Sequence, residues 1–275
     1  MLQLLLPRLA VKCRGDDEVR TAQFGQWREW SRQWCHDWDG RHPREGDAAL
    51  PGKRRVRHVV LVRHGQYSFD DKRLTPLGRE QARITGQRLR EMTERPINDH
   101  YGTVHVKWSH FAHSDVARAK ETAEIIAQEL KNVPAVCDPL LAEGWPCLPQ
   151  SFSKEVRPSK LVEDSARIES AFRKYLKRAR DHKKIKKVEV SESEEEEHEY
   201  TLLVCHQNVI RYFVCRALQL PPEFWLRFKG DNCGVTEIIV YDDGRVSLAK
   251  FADVGHLDIT QHTFHYPLSS LYRFR

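Results

Sequence analysis

Two apolar runs in this 275-residue chain lead straight into a histidine: Val59-Val60-Leu61-Val62 into Arg63-His64-Gly65, and Leu202-Leu203-Val204-Cys205 into His206. A continuous apolar run of this length reads as a strand buried on both faces, and in open α/β sheets ligands bind beyond the carboxyl ends of the strands. Both histidines fall there. Imidazole has an ordinary pKa of about 6.5, so a usable neutral fraction is present at cellular pH to act as a nucleophile. Arg63 adds a planar, permanent cation that can grip a phosphate through two parallel hydrogen bonds, and Gly65 lets the backbone turn or approach a ligand closely. These types point to phosphoryl transfer, in which the equatorial oxygens must be held while attacking and leaving atoms stay in line. If the strand ends converge, neutral His64 attacks to form phosphohistidine, while Arg63, Arg118 and His206 surround the phosphoryl group. Glu143, between Leu140-Leu141 and Gly144-Trp145-Pro146, is the candidate to protonate the leaving alkoxide and later deprotonate the hydrolytic water. An ordinary surface turn at Arg63-His64-Gly65 and an ordinary loop carboxylate at Glu143 are the alternatives these residues leave open.

The elements that must position them alternate. After the strand ending at His64, Thr75-Pro76 supplies a helix N-cap and a proline at the first helical position, where its missing N–H costs nothing. A strand is expected near Val104 to Trp108. Ala119, Ala123, Ile126 and Leu130 then mark one face of a helix that places Arg118 near its N-terminus. Ile168, Ala171, Phe172, Tyr175, Leu176 and Ala179 form the clearest helical stripe, read as core-facing. Thr201–Cys205 predicts the second strand and Val209–Leu218 the helix after it, ended by Pro221-Pro222. Val235–Tyr241 and Val246–Phe251 flank Asp242-Asp243-Gly244 as a hairpin. The rhythm is βαβ, hence an α/β fold.

Composition narrows the partners. A net charge of +6, from 45 basic and 39 acidic residues, tolerates anionic substrates but does not demand nucleic acid or membrane. The seven cysteines contain no Cys-x-x-Cys pair and no Cys/His ligand spacing, so structural zinc is not expected. Cys205 and Cys215, inside apolar runs, read as small core residues in a reducing compartment. Residues 177–187 are mostly basic and 192–199 mostly acidic, a pattern expected of a solvated loop in which each half neutralises the other's attraction for nucleic acid. Met1–Arg14 is apolar with three basic residues, short for a membrane span and interrupted by Pro7; it reads as a weak targeting signal or as an apolar start that docks on the domain. Trp27, Trp30, Trp34 and Trp38, spaced three, four and four, would share one helix face, either as a surface for partners or packed on their own domain. Pro43 through Pro51 reads as a linker. The expected division is residues 1–52 as a Trp-rich targeting and oligomerisation segment with linker, and residues 53–275 as a catalytic domain carrying a charged loop near 180–199.

Four separated pieces carry a family resemblance. Leu61-Val62-Arg63-His64-Gly65-Gln66-Tyr67 resembles a nucleophile motif, and Leu74-Thr75-Pro76-Leu77-Gly78-Arg79-Glu80-Gln81-Ala82 the helix start that follows it. Ser114-Asp115-Val116-Ala117-Arg118-Ala119-Lys120-Glu121-Thr122 resembles a second arginine motif, and Val204-Cys205-His206-Gln207-Asn208-Val209-Ile210-Arg211-Tyr212 a second histidine motif. Together they are similar to the histidine phosphatase superfamily, the phosphoglycerate mutase-like family. That resemblance implies a three-layer α/β/α sandwich with a mostly parallel central sheet. It implies His64 as nucleophile, Arg63, Arg118 and His206 as phosphate ligands, Glu143 as proton donor, and neither cofactor nor metal. The run continuing through Gln219, with Pro221-Pro222 and Trp225-Leu226-Arg227, resembles the branch of mitochondrial serine/threonine-protein phosphatases. It implies phosphorylated proteins as substrates and a mitochondrial address, at the outer membrane; the cytosol is the other reading. Trp34-Cys35-His36-Asp37-Trp38-Asp39 is similar to the Trp-Asp-x-x-Trp-Asp segment with which that branch assembles, except that Cys35 replaces the first Asp. Trp34, Trp38 and Asp39 are therefore the implied homo-oligomerisation residues. The branch's long apolar membrane anchor is reduced here to the short leucine-rich start. A small-metabolite phosphatase or mutase, and a catalytically idle scaffold, are the competing readings.

Overall fold

The computed structural model describes residues 34–41, 55–95, 97–99, 102–131, 133–149, 157–178 and 197–264. Its strands are β1 (Arg55–Arg63), β2 (Ile97–Asp99), β3 (Gly102–Val104), β4 (Trp108–His113), β5 (Ala135–Cys137), β6 (Glu197–Cys205), β7 (Val235–Tyr241) and β8 (Val246–Asp253). β2 and β3 pair with each other; the rest form one sheet in the order β5-β4-β6-β1-β7-β8. β5, β4, β6 and β1 run parallel, and β7 and β8 return antiparallel as the predicted hairpin.

A parallel strand needs cover on both faces. In β1, Val59, Val60, Leu61 and Val62 are all 0% exposed, and successive residues alternate faces. Val59 and Leu61 pack with helices α3 (Pro158–Tyr175) and α4 (Gln207–Ala217), through Ile168, Phe172 and Phe213. Val60 and Val62 pack with α1 (Pro76–Glu94) and α2 (Ala117–Leu130), through Leu89, Ala123 and Ile126. The result is the expected three-layer α/β/α sandwich. Thr75 caps α1 by accepting the Gly78 N–H, and every member of the predicted α2 stripe is buried. The α3 stripe is buried through Leu176, while Ala179 lies outside the described residues.

Some expectations shift. The strand placed near Val104 to Trp108 lies at Trp108–His113. Its polar Ser109 and His110 hide it as an apolar run; Ser109 sits at a register shift where its hydroxyl donates to the Tyr200 carbonyl. The acidic end of the supposed loop is also strand. Glu197 and Glu199 belong to β6, where they meet Arg55 and Arg57 of β1 in register and form cross-strand ion pairs at the solvent-facing start of the strands. Arg178, from the basic half, has a fully buried side chain paired with Asp39.

The Trp segment departs furthest. Trp34 and Trp38 do not share a helix: residues 36–39 form a turn. Trp38 enters the core against Phe172, with ring centroids 6.1 Å apart, and its Nε1 donates to the Gly244 carbonyl at 2.8 Å. The Asp39 carboxylate accepts from the Arg178 backbone N–H at 2.9 Å and from its guanidinium. Gln219 binds the Cys35 backbone through both ends of its amide, at 2.9 and 3.0 Å. A turn lets the carboxylate and the indole reach two different core partners, which a helix face would not. Trp34 is partly buried against the same core. Trp27, Trp30, the start at Met1–Arg14 and the linker from Pro43 to Pro51 lie outside the described residues. Among the described residues, no helix is long and apolar enough to cross a membrane.

Candidate active site

Strand register brings the site together. Arg63 lies opposite Cys205, so β1 and β6 end level and deliver His64 and His206 to neighbouring positions. The His64 N–H donates to the Cys205 carbonyl at 3.0 Å, and the two imidazole centroids are 5.2 Å apart. On the far side of β6, His113 faces Val204, and the Ser114 N–H donates to the Val204 carbonyl at 3.0 Å. α2 and α4 start directly beyond these strand ends, with Arg118 in the first turn of α2 and His206 as the residue that caps α4. Their free N–H groups add positive potential where an anion would sit.

Two neighbours set the tautomer of His64. Its Nδ1 lies 2.8 Å from the Gly65 carbonyl oxygen, which can only accept, so Nδ1 bears the proton. Its Nε2 lies 3.0 Å from Arg118 Nε, which can only donate, so Nε2 presents a lone pair. Burial first, then His206, Arg63 and Arg118, push the His64 pKa well below the imidazole range. Neutral imidazole with its lone pair at Nε2 is the nucleophilic form. Tyr67 flanks it edge-on, with centroids 5.3 Å apart, and the Arg118 guanidinium lies 4.7 Å over the Tyr67 ring. The Gly65 turn needs its glycine: a Cβ there would lie 2.5 Å from the Gly78 carbonyl oxygen of α1.

Two of the candidate phosphate ligands show unfinished hydrogen bonding. Arg63 Nη1 donates to the Gly230 carbonyl at 2.6 Å, but its buried Nε has no partner. His206 Nε2 meets Ser114 Oγ at 2.9 Å, while its buried Nδ1 has none. Ser114 Oγ already accepts the Val116 N–H and can give its own proton to His206 Nε2, which leaves Nδ1 as a donor. Leaving a buried polar atom unpaired costs about 1–3 kcal/mol, and phosphate oxygens are acceptors that fit both atoms.

Glu143 follows the short 3-10 turn Pro139–Leu141, anchored by buried Leu141 and capped by Asp138. Burial raises its pKa above the ordinary carboxylate range, against the opposing pull of Arg118, the Gly144 N–H and Arg63. The charges of Arg63 and Arg118 lower the pKa of both histidines and oppose the rise at Glu143. Ser114, Tyr67 and Thr122, which lie in the quoted motifs without a role assigned to them, join them, as does Asn232, which lies in none. Thr122 Oγ1 accepts the Gly65 N–H at 3.0 Å, and Asn232 Nδ2 donates to the His64 carbonyl at 2.9 Å. The signal for Ser114 is its place directly after β4 and at the head of the second arginine motif; Asn232, in the loop before β7, carries no spacing signal. Among the described residues, no group of three or more His, Cys, Asp or Glu side chains could hold a metal ion.

The buried neutral histidines make stability depend on pH. His64 and His206 are held well below the usual imidazole range, and burial pushes His256 down to about 4. Below their unfolded pKa of about 6.5 the unfolded chain binds protons that the folded chain refuses. Their contribution is therefore complete above that value and is lost as pH falls through it towards the folded values. Denaturant titrations at pH 7 and 5.5 should show a loss of about 2–4 kcal/mol, less in a His256→Asn variant.

The sequence profile of the histidine phosphatase superfamily (branch 1) matches residues 59–254. Serine/threonine-protein phosphatase PGAM5, mitochondrial, of Homo sapiens is 36% identical over 271 residues, covering 88% of this chain and 86% of that protein. The protein of the same name from Caenorhabditis briggsae is 37% identical over 253 residues, covering 84% and 81%. A phosphoglycerate mutase crystal structure from Plasmodium falciparum is 34% identical, with a TM-score of 0.49, covering 76% of this chain and 99% of that one. Profile match, relatives and the paired strand-end histidines agree: the chain belongs to the histidine phosphatase superfamily, branch 1.

Proposed function

We propose that this protein is a serine/threonine-protein phosphatase that works through phosphohistidine at His64. Superfamily membership gives phosphomonoester hydrolysis in general. The finer reading draws on relatives named as mitochondrial serine/threonine-protein phosphatases, and the same relatives support a mitochondrial address. The observation that carries the mechanism is the tautomer of His64, whose lone pair at Nε2 sits beside Arg118.

When a phosphomonoester binds, its oxygens take the Arg63 Nε–H, the Arg118 N–H groups and the His206 Nδ1–H. Arg118 thereby turns from Nε2 to phosphate, and the freed lone pair attacks phosphorus. The N–P bond forms as the P–O bond to the seryl oxygen breaks. The leaving alkoxide takes its proton from Glu143, whose raised pKa favours the acid form. The Glu143 carboxylate then accepts a proton from water as the water oxygen attacks phosphorus. The N–P bond breaks as the new P–O bond forms, its electron pair returns to Nε2, phosphate leaves, and His64 is neutral again.

Initial rates on phosphoserine and phosphothreonine peptides, beside phosphosugars and phosphoglycerates, test the substrate class. Peptide kcat/KM should exceed that of the metabolites by at least about tenfold, or about 1.4 kcal/mol in transition-state binding. Turnover of metabolites with none of any phosphopeptide would contradict it.

A further inference from the structure

The loop that carries Glu143 is gripped by one arginine. Arg167, on α3, donates from Nη1 to the Leu140 carbonyl at 3.2 Å and to the Ala142 carbonyl at 2.5 Å. Its Nη2 donates to the Glu143 carbonyl at 3.1 Å and to Asp164 Oδ1 at 3.0 Å. Three backbone carbonyls bracketing the proton donor thus converge on a single guanidinium. Asp164, one turn earlier on α3 and 1% exposed in its side chain, completes the grip by accepting the Trp145 N–H at Oδ2, 3.1 Å away. Gly144 lies so close beneath the pair that a Cβ there would sit 2.5 Å from the Asp164 carboxyl carbon and 2.6 Å from Arg167 Nη2. From α4, two residues beyond His206, Asn208 Nδ2 donates to the Gly144 carbonyl at 3.2 Å.

The chemistry gives this bracing a purpose beyond loop stability. Glu143 must reach the leaving oxygen of a bound ester while its own side chain makes one contact within its loop, with the Gly144 N–H at 3.2 Å. Its aim therefore depends on the backbone of residues 140–145. A general acid displaced by about 1 Å from its proton-transfer distance loses much of its effect, whereas phosphate held by Arg63 and His206 is untouched.

We propose that Arg167, braced by Asp164, is a positioning residue that aims the Glu143 carboxyl at the leaving group. This rests on the reading of Glu143 as the proton donor. A rigid aim matters for esters with a poor leaving group, such as the alkoxide of serine, and little for a nitrophenolate that departs unprotonated.

The test compares Arg167→Lys and Arg167→Ala with wild type and with Glu143→Gln, on a phosphoserine peptide and on p-nitrophenyl phosphate. Arg167→Lys keeps a cation but offers one ammonium where a fork spans three carbonyls. Peptide kcat/KM should fall by about tenfold or more in Arg167→Lys, while nitrophenyl phosphate kcat/KM stays within about threefold. The alkaline limb of the peptide pH profile should weaken in the same variant, since a misaimed acid no longer governs the rate. Equal loss on both substrates, or no loss on either, overturns the positioning role. If Arg167→Ala does not fold, Arg167→Lys decides alone. Selective loss in Glu143→Gln but not in Arg167→Lys would sink the clamp and leave the acid in place. Equal effects of Glu143→Gln on both substrates would sink the acid itself.

Discussion

His64→Ala should lower kcat/KM for every phosphomonoester by about 10⁴-fold or more, a loss of about 5.5 kcal/mol in transition-state stabilisation. No other group in the site can take over. His206 is the nearest imidazole, but its Nε2 is engaged by Ser114 and its Nδ1 serves as a donor. Water could attack a phosphate held by Arg63, Arg118 and His206, yet it would do so without a covalent intermediate to divide the barrier. The same variant should still bind inorganic phosphate, because the donors that hold the anion are intact and Arg118 loses its contact with Nε2. Rates and phosphate titration on one preparation therefore separate loss of chemistry from loss of the pocket. A variant with no phosphate affinity would show that His64 holds the site together. A variant with wild-type rates would rule out covalent catalysis.

Glu143→Gln should divide substrates by their leaving groups. Removing a general acid costs typically about 10²–10⁴-fold, and that full loss should fall on kcat/KM for phosphoserine peptides. For p-nitrophenyl phosphate the first step needs no proton, so its kcat/KM should change little. Its kcat should drop, because water must now attack phosphohistidine without a base. A burst of nitrophenol close to one per site is then expected, followed by a slow steady state. The pH profile carries the sign of the same assignment. Wild-type kcat/KM should hold as pH falls from 7 towards 6, since His64 is kept well below its usual range, and should decline on the alkaline side as Glu143, raised above its usual range, loses its proton. In Glu143→Gln the alkaline decline should disappear. A persisting alkaline limb would assign it to another group.

Much of this was legible because the chemistry sits at ends of strands that announce themselves. Val59–Val62 and Leu202–Cys205 are apolar on both faces, so their ends could be placed to the residue, and His64 and His206 with them. The Ala119–Leu130 stripe places Arg118 near a helix start, whereas for Glu143 an ordinary loop carboxylate stays an open alternative, and the family resemblance singles it out. The α/β class follows from the alternation of strands and helices, and the three-layer sandwich from the family resemblance. What stayed hidden depends on distant partners. β4 is polar at Ser109 and His110, so its span, and with it the strand-end position of Ser114, is not legible from an apolar run. The Glu197–Glu199 stretch reads as solvated until Arg55 and Arg57 are found beside it in β1. The tryptophan spacing reads as a helix face with its packing left open, and spacing cannot reveal Gly244 as the partner of Trp38 or Arg178 as that of Asp39. Arg167 carries no signal of its own in the sequence, because three carbonyls from a loop more than twenty residues earlier leave no mark in its local pattern.

One measurement bears most directly on the nucleophile. Glu143→Gln, mixed with a large excess of p-nitrophenyl phosphate and quenched in base, where phosphohistidine survives, should carry one phosphate per chain. Peptide mapping should place it on the imidazole of His64. Phosphate found on His206 or on a hydroxyl residue, or an unmodified protein despite a nitrophenol burst, would contradict the account.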